Sequence, residues 1–168
     1  IQNKDIDNYK ITRSIEIECD TIANQLSELK IKDLDYLKID VQGAELEILK
    51  GLGDFRPLII KCEVQIFPMY KDQPYWTEVT NYLYKLGYII IEWKKIGSHV
   101  TRTPVEMDMV FIPNFSEDNG RNIIKKKVNE FVSLMLISGQ IKLLNEISNE
   151  IDLKNSGFDF KVEDKYFN

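Results

Sequence analysis

The sequence predicts an α/β fold: a sheet of mostly parallel strands with an antiparallel edge, followed by a C-terminal helical hairpin. Three observations carry that expectation. Short apolar runs alternate with helical stripes along most of the chain, the order that builds an open sheet with helices on its faces. The run at residues 58–64 is nearly continuously apolar, as in a strand covered on both sides. After Asn119-Gly120 strand character stops and two helical stripes follow.

The elements follow in order. Near the end of residues 11–19, Ile15, Ile17 and Cys19 alternate with Ser14, Glu16 and Glu18, which predicts a half-buried strand. Asp20 is then a suitable N-cap for a helix faced by Ile22, Ala23, Leu26 and Leu29, because its carboxylate accepts orphan backbone N–H groups. Residues 36–41 make a short strand that ends at Gln42-Gly43, and Ala44, Leu46, Ile48 and Leu49 open a helix. The strand at 58–64 comes next, after Arg56-Pro57. Val79, Tyr82, Leu83 and Leu86 mark a helix over 75–86 that Gly87 stops before a strand at 88–93. Residues 107–112 form the last strand, closed by Pro113-Asn114, and are expected to pair antiparallel with 88–93 as an edge hairpin. Ile123, Ile124, Val128, Phe131, Val132 and Met135 give one helical stripe, and Ile141, Leu144, Ile147 and Ile151 a second, so an αα-hairpin broken near Gly139 is predicted. From Asn155 onward no period survives, which predicts a loose tail.

Composition narrows the function. Of 168 residues 43% are hydrophobic and 29% charged, ordinary for a soluble domain with a proper core. A net charge of −5 argues against a nucleic-acid surface, and the run Lys125-Lys126-Lys127 reads as a solvated helix face. No apolar run approaches the roughly 20 residues that span a bilayer. Cys19 and Cys62 form no C-x-x-C pair, so neither a disulfide framework nor a zinc site is suggested, and a reducing, cytoplasmic setting is expected. The chain opens on Ile1 where a natural start gives Met, which suggests a beginning inside a longer product.

Open α/β sheets bind ligands outside the carboxyl ends of their strands. Asp40 ends one predicted strand, with Gln42, Gly43 and Glu45 in the turn and first helical turn beyond it; Glu63 lies toward the end of the next, with Gln65 just after. Neighbouring strands would aim both carboxylates into one cleft. Asp40 suits a general base, a cofactor contact or a helix cap, and residue type does not choose among them. Glu45 in a first turn is favoured by the helix dipole with or without chemistry. Gly43 serves a positive φ in a turn as readily as close approach to a ligand. Glu63 is more suggestive, since carboxylates are seldom placed in buried strands unless paired or functional, and a salt bridge to Lys61 is not expected. His99 has no evident partners and reads as a surface residue, whereas Tyr70, Tyr75 and Trp76 are either cleft roof or rim packing.

The run from Asp35 through Lys38-Ile39-Asp40-Val41-Gln42-Gly43-Ala44-Glu45 to Gly51 closely resembles the signature of FkbM-family methyltransferases, in which Lys-Ile-Asp-Val leads into a Gly-x-Glu helix. Ile59 to Val64 looks like the family's next strand with its terminal Glu, Leu83 to Tyr88 like its helix-to-strand turn, and Ile17 to Ile22 like the entry to the preceding helix. The resemblance spans residues 11–113 and implies a Rossmann-like sheet and methyl transfer from S-adenosylmethionine to an oxygen, commonly a hydroxyl on a sugar or natural-product scaffold. It implies Asp40 and Glu63 as catalytic carboxylates and Asp40, Gln42, Gly43 and Glu45 as cofactor contacts, with no metal. Gln42 stands where the family often has Glu. The family's glycine-rich turn and second-strand acid are not found before Ile11, so the expected organisation is the C-terminal half of such a domain at 1–115, a helical appendage at 120–152 and a tail at 153–168. The acceptor is expected to be a small molecule or carbohydrate, and self-association through the C-terminal helices is a further expectation. Two rivals stand beside this reading. One is a glycosyltransferase holding a divalent ion at Asp33-Leu34-Asp35, the other a cofactor-free binding or assembly module.

Overall fold

The structure, a computed structural model, describes residues 12–68, 73–96 and 106–153. Four strands, β1 (Tyr36–Ile39), β2 (Ile59–Gln65), β3 (Tyr88–Ile96) and β4 (Glu106–Pro113), form one mixed sheet in the order β1-β2-β4-β3. β1 and β2 pair in parallel, with Ile39 opposite Cys62. β4 runs antiparallel to both β2 and β3. The two last strands pair antiparallel as the expected edge hairpin, with β3 outermost and β4 against β2. Of the three pairings only one is parallel, which corrects the expectation of a mostly parallel arrangement. Burial accounts for the interior place of β4: Met109, Phe111 and Ile112 are wholly buried, and an outermost strand would leave them half wet.

Helices cover both faces. On one side α1 (Ile22–Glu28), α2 (Glu45–Lys50) and α3 (Trp76–Lys85) pack Ile22, Leu49, Val79 and Leu83 against Ile39, Ile60, Cys62, Val64 and Phe111. On the other side α4 (Asp118–Lys126), α5 (Val128–Ile137) and α6 (Ile141–Glu150) pack Ile124, Phe131, Val132, Met135, Leu144 and Ile147 against Leu58, Ile59 and Ile112. Each such fully buried side chain contributes about 1.5–3 kcal/mol relative to exposure. Ile89 and Ile91, two residues apart, both face the second core, and a β-bulge between Ile90 and Glu92 turns Glu92 to that face as well, where Gln140 Nε2 donates to it at 2.5 Å.

Three local expectations change. The predicted strand ending at Cys19 is absent from residues 12–20; Ile15 and Ile17 are 67% and 71% exposed, and no strand among the described residues pairs with them. The cap of α1 is Thr21, whose hydroxyl accepts from Asn24 N at 3.1 Å; Asp20 instead braces the turn, accepting from Thr21 N and from the amides of Asn24 and Gln25. The first C-terminal stripe is two helices, not one. The chain breaks at Lys127 (φ −141°, ψ 49°), whose ammonium is drawn to Asp33 and Asp35, both at 2.7 Å. Gly139, at φ 72°, turns α5 into α6 as its position suggested. Asn155 and the rest of the predicted tail, with His99 and Tyr70, lie outside the described residues. Among the described residues no helix is long and apolar enough to cross a membrane.

Candidate functional site

Parallel pairing of β1 and β2 carries their carboxyl ends to the same edge of the molecule, and continuing the register past Ile39 and Cys62 sets Asp40 beside Glu63. The chain then turns sharply. Gln42 takes the left-handed conformation at φ 55° and Gly43 follows at φ 120°, which only glycine adopts without strain. That pair of conformations swings the Gln42 side chain back over the strand ends, where its Nε2 donates to Glu63 Oε1 at 2.8 Å.

The two carboxylates differ in environment. Asp40 is exposed and accepts from Lys38 Nζ at 2.8 Å; that ion pair holds its carboxyl below the usual range, with a lesser pull from the Gln42 amide. It caps no helix. Glu63 is half-buried, and its carboxyl is raised, first by burial and then by the negative charges of Asp40, Glu106 and Asp108, while the Gln42 amide works in the opposite direction. Gln42 therefore donates to Glu63 and also favours the ionised form of Asp40. A carboxylate at that position would meet two like charges and leave Glu63 without its hydrogen bond, so the amide is the residue type this arrangement requires. Lys61 lies on the same face as Glu63 but pairs with Asp108 at 2.8 Å.

Glu45 and Gly43 turn inward. Glu45 is 2% exposed and its Oε1 accepts from Gly43 N at 2.9 Å, closing the turn that lacks a capping side chain at Ala44. The space beside Gly43 is filled by Gln73, whose Cγ would lie 3.3 Å from an added Cβ. Of the four residues expected at the cofactor, Asp40 and Gln42 are exposed at the strand ends, while Gly43 and Glu45 build the turn beneath them. Gly43→Ala is expected to lower stability by about 1–3 kcal/mol, through strain at positive φ and contact with Gln73. Urea denaturation reads it, and an unchanged midpoint would mean that the turn relaxes freely.

Sequence reasoning passed over Gln73, and it noted Gln65 only by position. Both are buried polar residues in contact with each other, and glutamines in sequence carry the signal of a surface. Tyr75 is exposed at the start of α3 and Trp76 packs on the core beneath it.

A cavity of about 320 Å³ opens at the other end of the sheet, against the start of β1 and the α4–α5 joint. Asp33 and Lys127 line it, and Lys127 engages both Asp33 and Asp35, the latter just before β1. The two aspartates of the divalent-ion reading are thus paired with an ammonium group, and among the described residues no group of three or more His, Cys, Asp or Glu side chains is placed to share an ion.

The profile of the methyltransferase FkbM domain matches residues 2–90 of the chain. No curated protein and no solved structure matches it.

Proposed function

The chain belongs to the FkbM methyltransferase family, and we propose that it takes part in S-adenosylmethionine-dependent methylation of a hydroxyl on a sugar or natural-product scaffold, with Asp40 and Glu63 at the reacting end of the sheet. The observation that carries this reading is the divergence of two adjacent carboxylates, one held ionised by Lys38 and one raised by burial and like charge. Environments that push paired acids apart assign their roles. Glu63, with the higher affinity for a proton, is the base for an acceptor hydroxyl, and Asp40 supplies fixed negative charge.

The donor set fits the cofactor's cationic part. Asp40, Glu63, Glu106 and Asp108 interact at the strand ends, where Lys38, Lys61 and, opposite Asp108, Lys94 are the opposing charges, so carboxylates still outnumber ammonium groups. Such a patch favours a sulfonium and an ammonium group. When bound, the cofactor supplies an electrophilic methyl on sulfur. The chain's residues do the rest: Asp40 lines the cationic side, Gln42 holds Glu63 in place, and Glu63 takes the hydroxyl proton as the new carbon–oxygen bond forms and the bond to sulfur gives its electron pair to sulfur. Cys19 and Cys62 are both free thiols, in keeping with a cytoplasmic setting.

Calorimetric titration of the full-length natural protein with S-adenosylmethionine tests the reading, followed by release of S-adenosylhomocysteine with monosaccharide acceptors. Asp40→Asn is expected to weaken cofactor binding about fivefold, the loss of roughly 1 kcal/mol from a solvent-screened charge contact. No binding by the full-length protein would overturn the enzymatic reading and leave a non-catalytic module. In that case the exposed side of the helical layer, where Ile137 is 84% exposed, would be the surface to test for self-association.

A further inference from the structure

Glu63 and Gln42 meet above a buried pair of amides that the reaction chemistry does not use. Gln65 follows Glu63 by two residues on the same face of β2 and is 2% exposed; Gln73, just before α3, is 7% exposed. Gln73 Nε2 donates to Gln65 Oε1, while Gln65 Nε2 is buried without a hydrogen-bond partner among the described residues. An orphan donor costs about 1–3 kcal/mol, and hydrocarbon of similar volume would avoid that cost. Buried unsatisfied groups call for an explanation beyond packing. Here the other side of Gln73 supplies one: its Cγ, Cδ and Nε2 stand where a Cβ of Gly43 would meet them at 3.3–3.4 Å. One glutamine therefore touches both the end of β2 and the turn that aims Gln42.

We propose that Gln65 and Gln73 are positioning residues: their buried contact fixes the Gly43 turn against β2 and so holds the Gln42 amide on Glu63. The chain of contacts runs from Gln65 on β2 through Gln73 to Gly43, and from Gln42 back to Glu63 two residues before its origin. It is a closed loop. An apolar pair would fill the same volume but would not tie the entry to α3 to the strand end with a directional bond. The proposal rests on the reading of Glu63 as base for its consequence in catalysis, but its geometry stands without it.

The test reads Glu63 itself, by carboxyl-carbon NMR titration of the full chain without cofactor, alongside thermal unfolding. Asp40 from the end of β1, Glu106 and Asp108 from β4 and Lys38 from β1 also act near Glu63, and all are left unchanged. Gln42→Ala removes a donor to the carboxylate and is expected to move the Glu63 midpoint upward. Gln73→Ala is expected to move it in the same direction, and the double variant no further than Gln42→Ala alone. Gln65→Met is expected to raise the midpoint with little change in unfolding temperature, because removal of the orphan donor offsets the acceptor taken from Gln73; it keeps the test decisive if Gln73→Ala does not fold. A Glu63 midpoint unmoved in Gln65→Met or in folded Gln73→Ala, or additive shifts in the double variant, would overturn the proposal. None of these readouts involves methyl transfer, so failure here is separate from failure of the enzymatic reading.

Discussion

Phe131→Ala is expected to remove about 3–5 kcal/mol of stability, the range for deleting a buried aromatic ring from a core that cannot collapse around the void. Phe131 is wholly buried on α5, in the cluster that joins α4–α6 to Leu58, Ile59 and Ile112 of the sheet. Since single domains have only about 5–15 kcal/mol in total, the loss is a large fraction of what holds the chain folded. Ile137→Ala on the same helix is the control: at 84% exposure it should change stability by less than about 0.5 kcal/mol. Urea denaturation followed by circular dichroism distinguishes them, with a single transition expected for sheet and helical layer together. Equal, small effects from both substitutions would mean that the C-terminal helices do not share the sheet's core.

That layer also shows how far the sequence could be read. Periodicity found α5 and α6 because burial on one face writes a stripe, and it found β2 because burial on both faces writes an apolar run. It could not show the break at Lys127, since the cause is tertiary: the ammonium reaches Asp33 and Asp35, about ninety residues earlier in the chain. Strand order was equally hidden. Both strands of the edge hairpin are apolar, so which of them lies outermost is not marked, and only the pairing of β4 with both β2 and β3 decides. Alternation at Ile15, Ile17 and Cys19 misled for the converse reason, because a half-buried pattern needs a partner surface and these side chains are exposed. At the candidate site Asp40 and Glu63 were legible from strand ends alone. Their inequality was not, because it depends on Lys38 folding onto Asp40 and on the burial of Glu63 beside Asp40 and the β4 carboxylates Glu106 and Asp108. The glutamine pair was least legible, as nothing local marks Gln73 as buried.

Glu63→Gln is expected to lower methyl transfer by the whole protein about 10²- to 10⁴-fold, the usual worth of a positioned general base. The substitution preserves shape and leaves an amide where Gln42 can still find an oxygen, so the fold should survive it; what disappears is the ability to accept a proton. The pH dependence separates this from a binding defect. Burial and neighbouring negative charge raise the Glu63 carboxyl, so the active, ionised form appears only as pH rises through a midpoint above the ordinary glutamate range. The rate should climb with pH across that window in the natural protein and lose that limb in the variant. Stability moves the other way. Because the folded state holds this proton more tightly than the unfolded one, stability is fully present below the unfolded midpoint and is lost as pH rises through the folded midpoint. Asp40 has the opposite sign: Lys38 lowers its carboxyl, so its contribution is present above the unfolded midpoint and is lost as pH falls through the folded one. A Glu63→Gln protein with undiminished turnover and an intact rising limb would remove Glu63 from the chemistry and return the role of base to Asp40, whose ion pair with Lys38 makes it the weaker base of the two.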